Sequence, residues 1–367
     1  MEKNQRKLIF FMPSMEGGGV EKNIIIIANY LATKIKDISL ITFDKKFNRK
    51  FNKRINIINS NYSSKKKYSK YFKYFVTLLL LVKEIFKNKK ILVFCFQANM
   101  YCIILSKLFN FKLIVRSNSS PSGWSKNFVK NFIFKILLKI PDAIIVNSKN
   151  FKKELDNRFN VNSYIIYNPL NKNEIISKSK QKIFFNFYKK SDLKLINVAR
   201  FTDQKDHLTL LKAFNNVQKK IKAKLILIGY GVNREKISSF IKKHHLTKKV
   251  KIINCKENPY KYIRISDIFI LSSIYEGLPN VLLEAIALKK FIISSNCPTG
   301  PAEILKNGEY GILFKPNDWR SLSKKIIYFS KNKNKLEKKI NLAYYGLDRF
   351  DYSNNCNKYL QLVSKII

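Results

Sequence analysis

Histidine is scarce in this chain of 367 residues. Only His207, His244 and His245 occur, and the last two lie in a lysine-rich stretch typical of a helix surface. Zinc sites and most transition-metal sites draw on imidazole, or on clusters of cysteine and carboxylate. We therefore expect no metal site and no metal cofactor.

Cysteine is also sparse and is not arranged in pairs. An odd number of scattered cysteines predicts neither a disulfide framework nor a zinc site, and it fits a reducing compartment. No serine or cysteine lies in a nucleophile-elbow sequence, so acyl-enzyme hydrolysis has no support. The five cysteines are Cys95, Cys102, Cys255, Cys297 and Cys356.

Long apolar runs are missing as well. A helix that spans a bilayer needs about 20 mostly apolar residues, whereas the run 75–82 is followed at once by Lys83 and Glu84. Residues 1–11 do not resemble a signal peptide, because charge gives way quickly to a strand pattern and then to glycines. We expect a cytoplasmic protein.

Acidic residues are few. The chain has 24 Asp and Glu against 71 Lys and Arg, a formal net charge of +47, which predicts attraction to an anionic surface or polymer. A general compositional preference for lysine is an alternative explanation. Two segments are especially basic, 45–54 and 65–73, and the second is interleaved with Tyr68, Tyr71, Phe72, Tyr74 and Phe75.

The second basic segment leads into the apolar run 77–82. A basic, aromatic and amphipathic segment suits a membrane headgroup interface, where each basic residue contributes about 1 kcal/mol of attraction to anionic lipid. Nucleic acid is the competing partner. An ordinary solvated face is the third interpretation.

Short apolar runs alternate with helical patterns along the chain, which predicts parallel sheets covered by helices on both faces. The first strand candidates are 8–12, 38–43, 91–96, 113–115 and 143–146, and the second are 194–198, 224–228, 250–253, 268–272 and 291–294. Helices are expected at 24–31, 128–140, 208–220, 234–244 and 279–288.

The pattern pauses over the polar, lysine-rich residues 171–190, which we interpret as a linker. We predict an N-terminal domain over 1–170, a C-terminal domain over 191–345, and a helical segment over 346–367 that packs back on the N-terminal domain. Two doubly wound domains in tandem hold ligands in a cleft at the carboxyl ends of their strands.

Two carboxylates, Glu276 and Glu284, surround a Gly-Leu-Pro turn. Proline suits the first turn of a helix, so a helix is expected from about Pro279. The free amides of Asn280 and Val281 then lie at the positive end of the helix dipole, where they can hold a phosphate. The carboxylates can bind hydroxyl groups beside it. Alternatively, they merely complement the dipole and lie on a solvated face.

Two further segments follow predicted strands. Gly17, Gly18 and Gly19 let the backbone approach a ligand closely before a helix, which suggests a loop that faces a diphosphate or, alternatively, a structural turn. Arg200 and Lys205 follow the first strand of the second domain, where a guanidinium and an ammonium can grip a diphosphate from two directions.

Together these segments resemble the retaining glycosyltransferases of family four, which build bacterial lipopolysaccharide, capsule and other glycans. The pair of glutamates separated by seven residues is the most specific mark. The motifs that carry the resemblance occur in the family's order: 17–21, 200–205, 229–231, 258–260, 276–284 and 299–303.

The resemblance implies the GT-B fold, in which two Rossmann-like domains face a central cleft. The second domain binds a nucleotide-sugar donor, most often a UDP-sugar, and the first binds the acceptor. No metal and no cofactor are implied, and the activity is that of a retaining hexosyltransferase.

The resemblance also implies roles for individual residues. The catalytic residues would be Glu276, which binds the donor sugar, and Arg200 and Lys205, which bind the diphosphate. Glu284 would bind the ribose. Further donor contacts would come from Gly17, Gly18, Gly19, Leu278, Asn280 and Val281, and from Cys255 and Lys256 near the base.

This chain departs from the family at three positions. It has no histidine in the first domain near the donor sugar, and Arg116 with Asn118 is our substitute on the acceptor side. Asn254 stands where glycine is usual, and Pro279 removes one amide from the phosphate-binding turn.

We expect partners of three kinds: a nucleotide sugar, a saccharide or lipid-linked acceptor, and the anionic inner face of the cell membrane, to which the protein binds peripherally. Nucleic acid is not expected. A basic nucleic-acid-binding protein and a non-catalytic assembly partner of the same fold are the alternatives.

Overall fold

The computed structural model describes residues 6–62, 68–119, 121, 124, 127–254 and 258–367. The chain forms two compact units. The first comprises Met1–Pro169 together with Tyr352–Ile367, and the second comprises Leu170–Asp351.

The first unit contains a seven-stranded parallel sheet in the order β3-β2-β1-β4-β5-β6-β7. Its strands are β1 (Lys7–Phe11), β2 (Ile38–Thr42), β3 (Ile55–Asn59), β4 (Ile91–Cys95), β5 (Lys112–Arg116), β6 (Ala143–Val146) and β7 (Tyr164–Ile165). Its helices are α1 (Gly19–Leu31), α2 (Lys70–Lys87), α3 (Asn99–Phe109), α4 (Phe128–Leu137), α5 (Lys149–Phe159) and, from the second stretch of chain, α14 (Tyr352–Ile366).

The central strands of this sheet are buried on both faces, which explains their continuous apolar sequence. In β1 and β4, Phe10 lies opposite Phe94 with the ring centroids 5.4 Å apart. Helices α1 and α14 cover one face of the sheet, and α2, α3 and α5 cover the other. Two separate apolar cores result, one on each side.

The second unit contains a six-stranded parallel sheet in the order β10-β9-β8-β11-β12-β13. Its strands are β8 (Leu193–Val198), β9 (Ala223–Ile228), β10 (Val250–Ile253), β11 (Ile268–Leu271), β12 (Phe291–Ser295) and β13 (Ile312–Phe314). Its helices are α6 (Lys172–Ser179), α7 (His207–Val217), α8 (Arg234–Lys243), α9 (Tyr260–Arg264), α10 (Asn280–Ala287), α11 (Pro301–Ile304), α12 (Trp319–Lys331) and α13 (Lys333–Tyr345).

Both sheets have the doubly wound order, so the predicted fold class is confirmed. In each sheet the chain builds outward from the first strand, then returns to its other side, which leaves a switch point between β1 and β4 and between β8 and β11. The ten predicted strands are present within one or two residues, and β3, β7 and β13 were not predicted.

The segment 171–190, predicted as a linker, contains helix α6 and belongs to the second unit. Within 171–190, Asn171 caps α6 by accepting from the amide of Glu174, and the helix buries Ile175 in the second unit. Farther on, the Tyr188 hydroxyl donates to the carbonyl of Leu195, 2.6 Å away, and burial raises the pKa of this phenol. A few inward side chains fold this segment although its composition is mostly polar.

The last helix belongs to the first unit. Tyr359 is fully buried against Phe94, with the ring centroids 6.1 Å apart, and Tyr352 makes an edge contact with Tyr30 of α1. The first unit is therefore assembled from two distant parts of the sequence.

Candidate functional site

The candidate site of the second unit lies at its switch point. β8 and β11 are hydrogen-bonded neighbours although β9 and β10 separate them in the sequence. Residues 199–206 follow β8 and residues 272–279 follow β11. Ligands of doubly wound sheets bind outside the carboxyl ends of strands at such a point, and these two segments contain Arg200, Lys205 and Glu276.

Lys205, which is partly buried, and Glu276, which is buried, form an ion pair between the two segments. The ammonium of Lys205 contacts Oε1 of Glu276, and the two side chains are 14% and 8% exposed. The Ser273 hydroxyl donates to the same Oε1 at 2.6 Å. Because desolvating two charges costs several kcal/mol, this pair is an expensive arrangement for stability alone. Neither of these two donors engages Oε2 of the carboxylate.

The turn that carries Glu276 is held by its neighbours on both sides. From the β8 side, the side-chain amide of Gln204 donates to the carbonyl of Tyr275 at 2.8 Å, and the carbonyl of Gln204 accepts from the amide of Ile274 at 2.8 Å. The carboxylate is thus positioned by backbone contacts as well as by its ion pair.

From the β12 side, the Thr299 hydroxyl donates to the carbonyl of Glu276 at 2.6 Å and lies 3.2 Å from that of Gly277. Gly300 follows with φ of +61°, and a Cβ atom there would lie 2.1 Å from the Gly277 carbonyl oxygen. Only glycine permits this conformation and this close approach. The segment 299–300 therefore fixes the shape of the turn.

Helix α10 begins directly after the turn. It starts at Asn280, with Pro279 in extended conformation at the cap, and ends at Ala287, which agrees with the predicted 279–288. Leu278 and Val281 lie in the turn and the first helical turn, and Glu284 is buried within the helix. The predicted roles of these residues toward a donor stay predictions.

Arg200 is exposed immediately after β8. The loop after β9 presses against its neighbours, because a Cβ atom on Gly229 would lie 2.0 Å from the Ala199 carbonyl and one on Gly231 would lie 2.5 Å from the Phe201 carbonyl. The Phe201 amide also donates to the carbonyl of Tyr230 at 2.7 Å. These glycines let the loop after β9 pack closely on both sides of Arg200, at the carboxyl end of β8.

Two titratable side chains near the pair were not assigned from the sequence. His207 follows Lys205 closely and is buried edge-on against the Phe201 ring; burial and then the Lys205 charge lower its pKa to about 4. Burial, and then the charge of Glu276, raises the pKa of the Cys297 thiol to about 12. Both groups are therefore uncharged near neutral pH. Ser273, the second residue of the Ser-Ser pair that follows β11, was also not predicted from the sequence.

Other predicted residues lie in the first unit or outside the described residues. Gly17, Gly18 and Gly19 belong to the first unit, where they join β1 to α1 at its own switch point. Gly17 has φ of +91°, and Glu21 holds the loop by accepting from the Glu16 amide at 3.0 Å. Cys255 and Lys256 lie outside the described residues.

Arg116 corrects the acceptor-side prediction. Its side chain is fully buried at the end of β5, where it donates to Tyr359 at 3.1 Å and to Asn168 at 2.5 Å, and contacts the side-chain oxygen of Asn118. No part of the guanidinium is exposed to an acceptor. Asn118 is partly exposed and donates to the carbonyl of Phe96 at 2.8 Å. Arg116 thus joins the sheet to the last helix.

Within the described ranges, no group of three or more His, Cys, Asp or Glu side chains is placed so that it could hold a metal ion. The expectation of a metal-independent reaction stays a prediction.

Comparison with known proteins gives concordant results. The family model described as Glycosyl transferases group 1 matches residues 178–346. An uncharacterized glycosyltransferase of Methanocaldococcus jannaschii is 31% identical, over 68% of this chain and 69% of its own length. The Campylobacter jejuni N-acetylgalactosamine-N,N'-diacetylbacillosaminyl-diphospho-undecaprenol 4-alpha-N-acetylgalactosaminyltransferase is 26% identical, over 86% of this chain and 88% of its own length.

Solved structures agree in fold. HepE of Anabaena, in complex with UDP and glucose, has a TM-score of 0.80 at 17% identity and covers 98% of this chain and 100% of its own. Sucrose-phosphate synthase of Thermosynechococcus elongatus has a TM-score of 0.79 at 16% identity, and the match covers 98% of this chain and 99% of the synthase chain. The predicted GT-B fold, with two doubly wound Rossmann-like domains, is confirmed by these matches.

Proposed function

The chain belongs to the glycosyltransferase group 1 family, and from that premise we propose that it transfers a sugar from a nucleoside diphosphate sugar to a saccharide or lipid-linked acceptor during assembly of a bacterial surface glycan. The observation that carries the proposal is the partly buried Lys205–Glu276 ion pair at the carboxyl ends of β8 and β11. A cation and a carboxylate at one point suit a substrate that presents a diphosphate beside sugar hydroxyls.

The donor is a UDP-sugar under this proposal. Support comes from HepE, whose solved complex contains UDP and glucose. Arg200 and Lys205 would bind the diphosphate, the amides at the start of α10 would add hydrogen bonds, and Glu284 would bind the ribose. Glu276 would accept from a hydroxyl of the donor sugar through Oε2, the oxygen that Lys205 and Ser273 leave to it.

The reaction is a front-face displacement that retains the anomeric configuration. The bond between the anomeric carbon and the diphosphate oxygen breaks, and the acceptor oxygen forms the new bond on the same face of the sugar. The proton of the acceptor hydroxyl passes to the departing phosphate oxygen. Negative charge grows on that oxygen as the bond breaks, so a cation already in place lowers the barrier.

Bilayer-anchored acceptors are included because of the Campylobacter relative, whose name specifies a diphospho-undecaprenol-linked saccharide. Such an acceptor stays in the membrane, so the enzyme must reach the membrane surface from the cytoplasm. In the described part of the chain, no helix combines the length and the apolar character needed to cross a bilayer.

The test combines binding and turnover. Thermal unfolding is measured across a panel of nucleotide sugars and free nucleoside diphosphates, because a ligand that binds the folded state raises the melting temperature. The donor so found is then assayed for transfer to a saccharide panel. We expect Glu276→Ala to abolish transfer, whereas Glu84→Ala, which removes a buried, lysine-paired glutamate of the first unit, leaves the turnover of folded protein unchanged.

Wild-type turnover in Glu276→Ala would refute the assignment of the site. A panel without any thermal shift would argue against donor binding itself. Donor binding without any transfer would favour the non-catalytic assembly partner.

A further inference from the structure

Three consecutive helices of the first unit carry an unusually apolar outer surface. Helices α2, α3 and α4 cover the same side of the seven-stranded sheet, and α3 contacts both of the others. Their inward sides meet the sheet through residues such as Leu81 of α2 and Ile103 of α3. The side directed away from the sheet, which we call the apolar face, carries large apolar side chains that stay exposed. The ring contacts of Tyr101 with Tyr74 and of Phe86 with Phe109 lie within the same three helices or at their ends.

Large apolar side chains recur along this face at helical spacing. In α2 they follow the series 71, 75, 79 and 86, in α3 the series 101, 104 and 108, and in α4 the series 128, 132 and 136. Phe128 is 82% exposed and Leu108 is 70% exposed. Single exposed apolar residues are ordinary, but a contiguous group on three adjoining helices marks an interaction surface.

Helix α4 makes the point most clearly. None of its residues is buried, although seven of its ten are aliphatic or aromatic. A helix that only had to cover the sheet would place most of its apolar side chains inward. The apolar composition of α4 therefore serves an environment outside the folded unit.

The charges on these helices are of one sign. Helices α3 and α4 contain no acidic residue, and the only acid of α2, Glu84, is buried and paired with Lys7 and Lys87. Exposed lysines occur beside the apolar side chains of all three helices, at Lys83, Lys107 and Lys135. An apolar surface bordered by cations complements the headgroups and the upper acyl region of an anionic bilayer.

A second copy of this chain is a poorer occupant. Two identical faces would bring lysines against lysines, and each copy carries a formal net charge of +47. Like charges directly opposite one another oppose such an interface.

We infer that the apolar face docks the first unit on an anionic lipid bilayer, with α2, α3 and α4 lying in the headgroup region. This inference rests on the proposed function for its biological reason, a lipid-linked acceptor, but it is argued from the surface itself.

The apolar face also revises the interpretation of the second basic segment in the sequence. Tyr68 and Phe72 of the predicted basic segment make edge-to-face contacts with Phe43 and Tyr62 instead of facing outward. Residues 65–67 lie outside the described residues.

The experiment is flotation of the full chain with vesicles of phosphatidylcholine alone or with phosphatidylglycerol, in low salt and in about 0.5 M NaCl. High salt shortens the screening length to a few ångströms and suppresses attraction that depends on net charge alone. The face variant combines Phe75→Gln, Leu108→Gln and Phe128→Gln, one exposed position from each helix. Its matched control combines Phe184→Gln, Tyr328→Gln and Tyr345→Gln, exposed positions of the second unit.

We expect wild type and control to float with anionic vesicles in both salts, and the face variant to lose at least about tenfold in partition at high salt, since three apolar side chains no longer enter the bilayer. Equal partition of all three proteins would overturn the inference, because general basicity would then explain the binding. A dimer in sedimentation velocity that the face variant abolishes, without vesicle binding, would also overturn it. Circular dichroism melting verifies that both triple variants fold.

Transfer to a water-soluble acceptor separates this inference from the proposed function. Under the inference the face variant keeps wild-type transfer in solution and loses transfer only to an acceptor embedded in vesicles. If no protein transfers sugar but the vesicle result is as expected, the docking surface stands and the proposed function fails. If wild type, control and face variant all transfer sugar equally to the acceptor in vesicles, the docking inference fails and the proposed function stands.

Discussion

Lys205→Met is the substitution that best separates catalysis from stability. It keeps the length of the side chain and removes its charge, so the Glu276 carboxylate keeps the Ser273 hydroxyl but loses its cation. Breaking a buried ion pair from one side costs about 3–5 kcal/mol of unfolding free energy. Because one hydrogen bond to the carboxylate remains, we expect the lower end of that range, about 3 kcal/mol.

The effect on turnover is expected to be separate and larger than folding alone explains. If Lys205 stabilises charge on the leaving diphosphate, its loss lowers kcat by about 10²–10³-fold, equivalent to about 3–4 kcal/mol of the barrier. The measurement pairs urea unfolding with initial rates at saturating donor, each rate corrected for the folded fraction. Lys205→Arg, which keeps the charge, should recover part of the rate.

A matched control lies in the same unit. Lys224 and Asp192 form a second ion pair with side chains 16% and 9% exposed, nearly the same as 14% and 8% for Lys205 and Glu276, at the opposite ends of the strands. Lys224→Met should therefore lower stability comparably and leave the corrected kcat unchanged. The reasoning is refuted if Lys205→Met is folded with wild-type kcat, or if Lys224→Met loses as much turnover.

Two further expectations concern the same loops. Gly300→Ala should reduce both stability and turnover, because its Cβ would strike the Gly277 carbonyl. The control Gly308→Ala is also at positive φ, but nothing lies within 4 Å of its Cβ, so its effect should be much milder. Equal effects of the two variants in unfolding and rate assays would contradict this expectation. The depressed pKa of His207, about 4, means that the unfolded state binds more protons between pH 6.5 and 4, so stability falls as pH decreases through that window, by up to about 3 kcal/mol from this residue. Urea unfolding of His207→Phe should show a shallower decline over that window, and an unchanged slope would exclude the histidine as its cause.

The sequence predicted central strands better than peripheral ones. All three strands that were missed, β3, β7 and β13, lie at sheet edges. An edge strand is covered incompletely, and the burial of Ile55–Asn59 is accordingly partial beyond its first residue. Without two buried faces a strand needs no continuous apolar run, so the signal that identified the central strands is absent.

The parts of the site that depend on local sequence were predicted better than the parts that depend on contacts between distant residues. Pro279 and the apolar run after it placed the start of α10 within one residue, and the strand ends at β8 and β11 brought Lys205 and Glu276 to one point. Arg116 follows the same logic at the end of β5, yet its guanidinium is buried by Tyr359, 243 residues away. No local sequence pattern predicts such a distant partner. The same holds for Thr299, whose hydroxyl donates to the carbonyl of Glu276.

The place of α14 in the first unit has a consequence for biosynthesis. The ribosome completes the first sheet by Ile165, but the helix that covers one of its faces and satisfies Arg116 emerges only after the whole second unit. At about 5–20 residues per second, that interval is roughly ten to forty seconds. During this time the second unit is complete in sequence and free to fold, while the first exposes an uncovered strip of its core around Phe94, an expected binding site for a chaperone on the nascent chain.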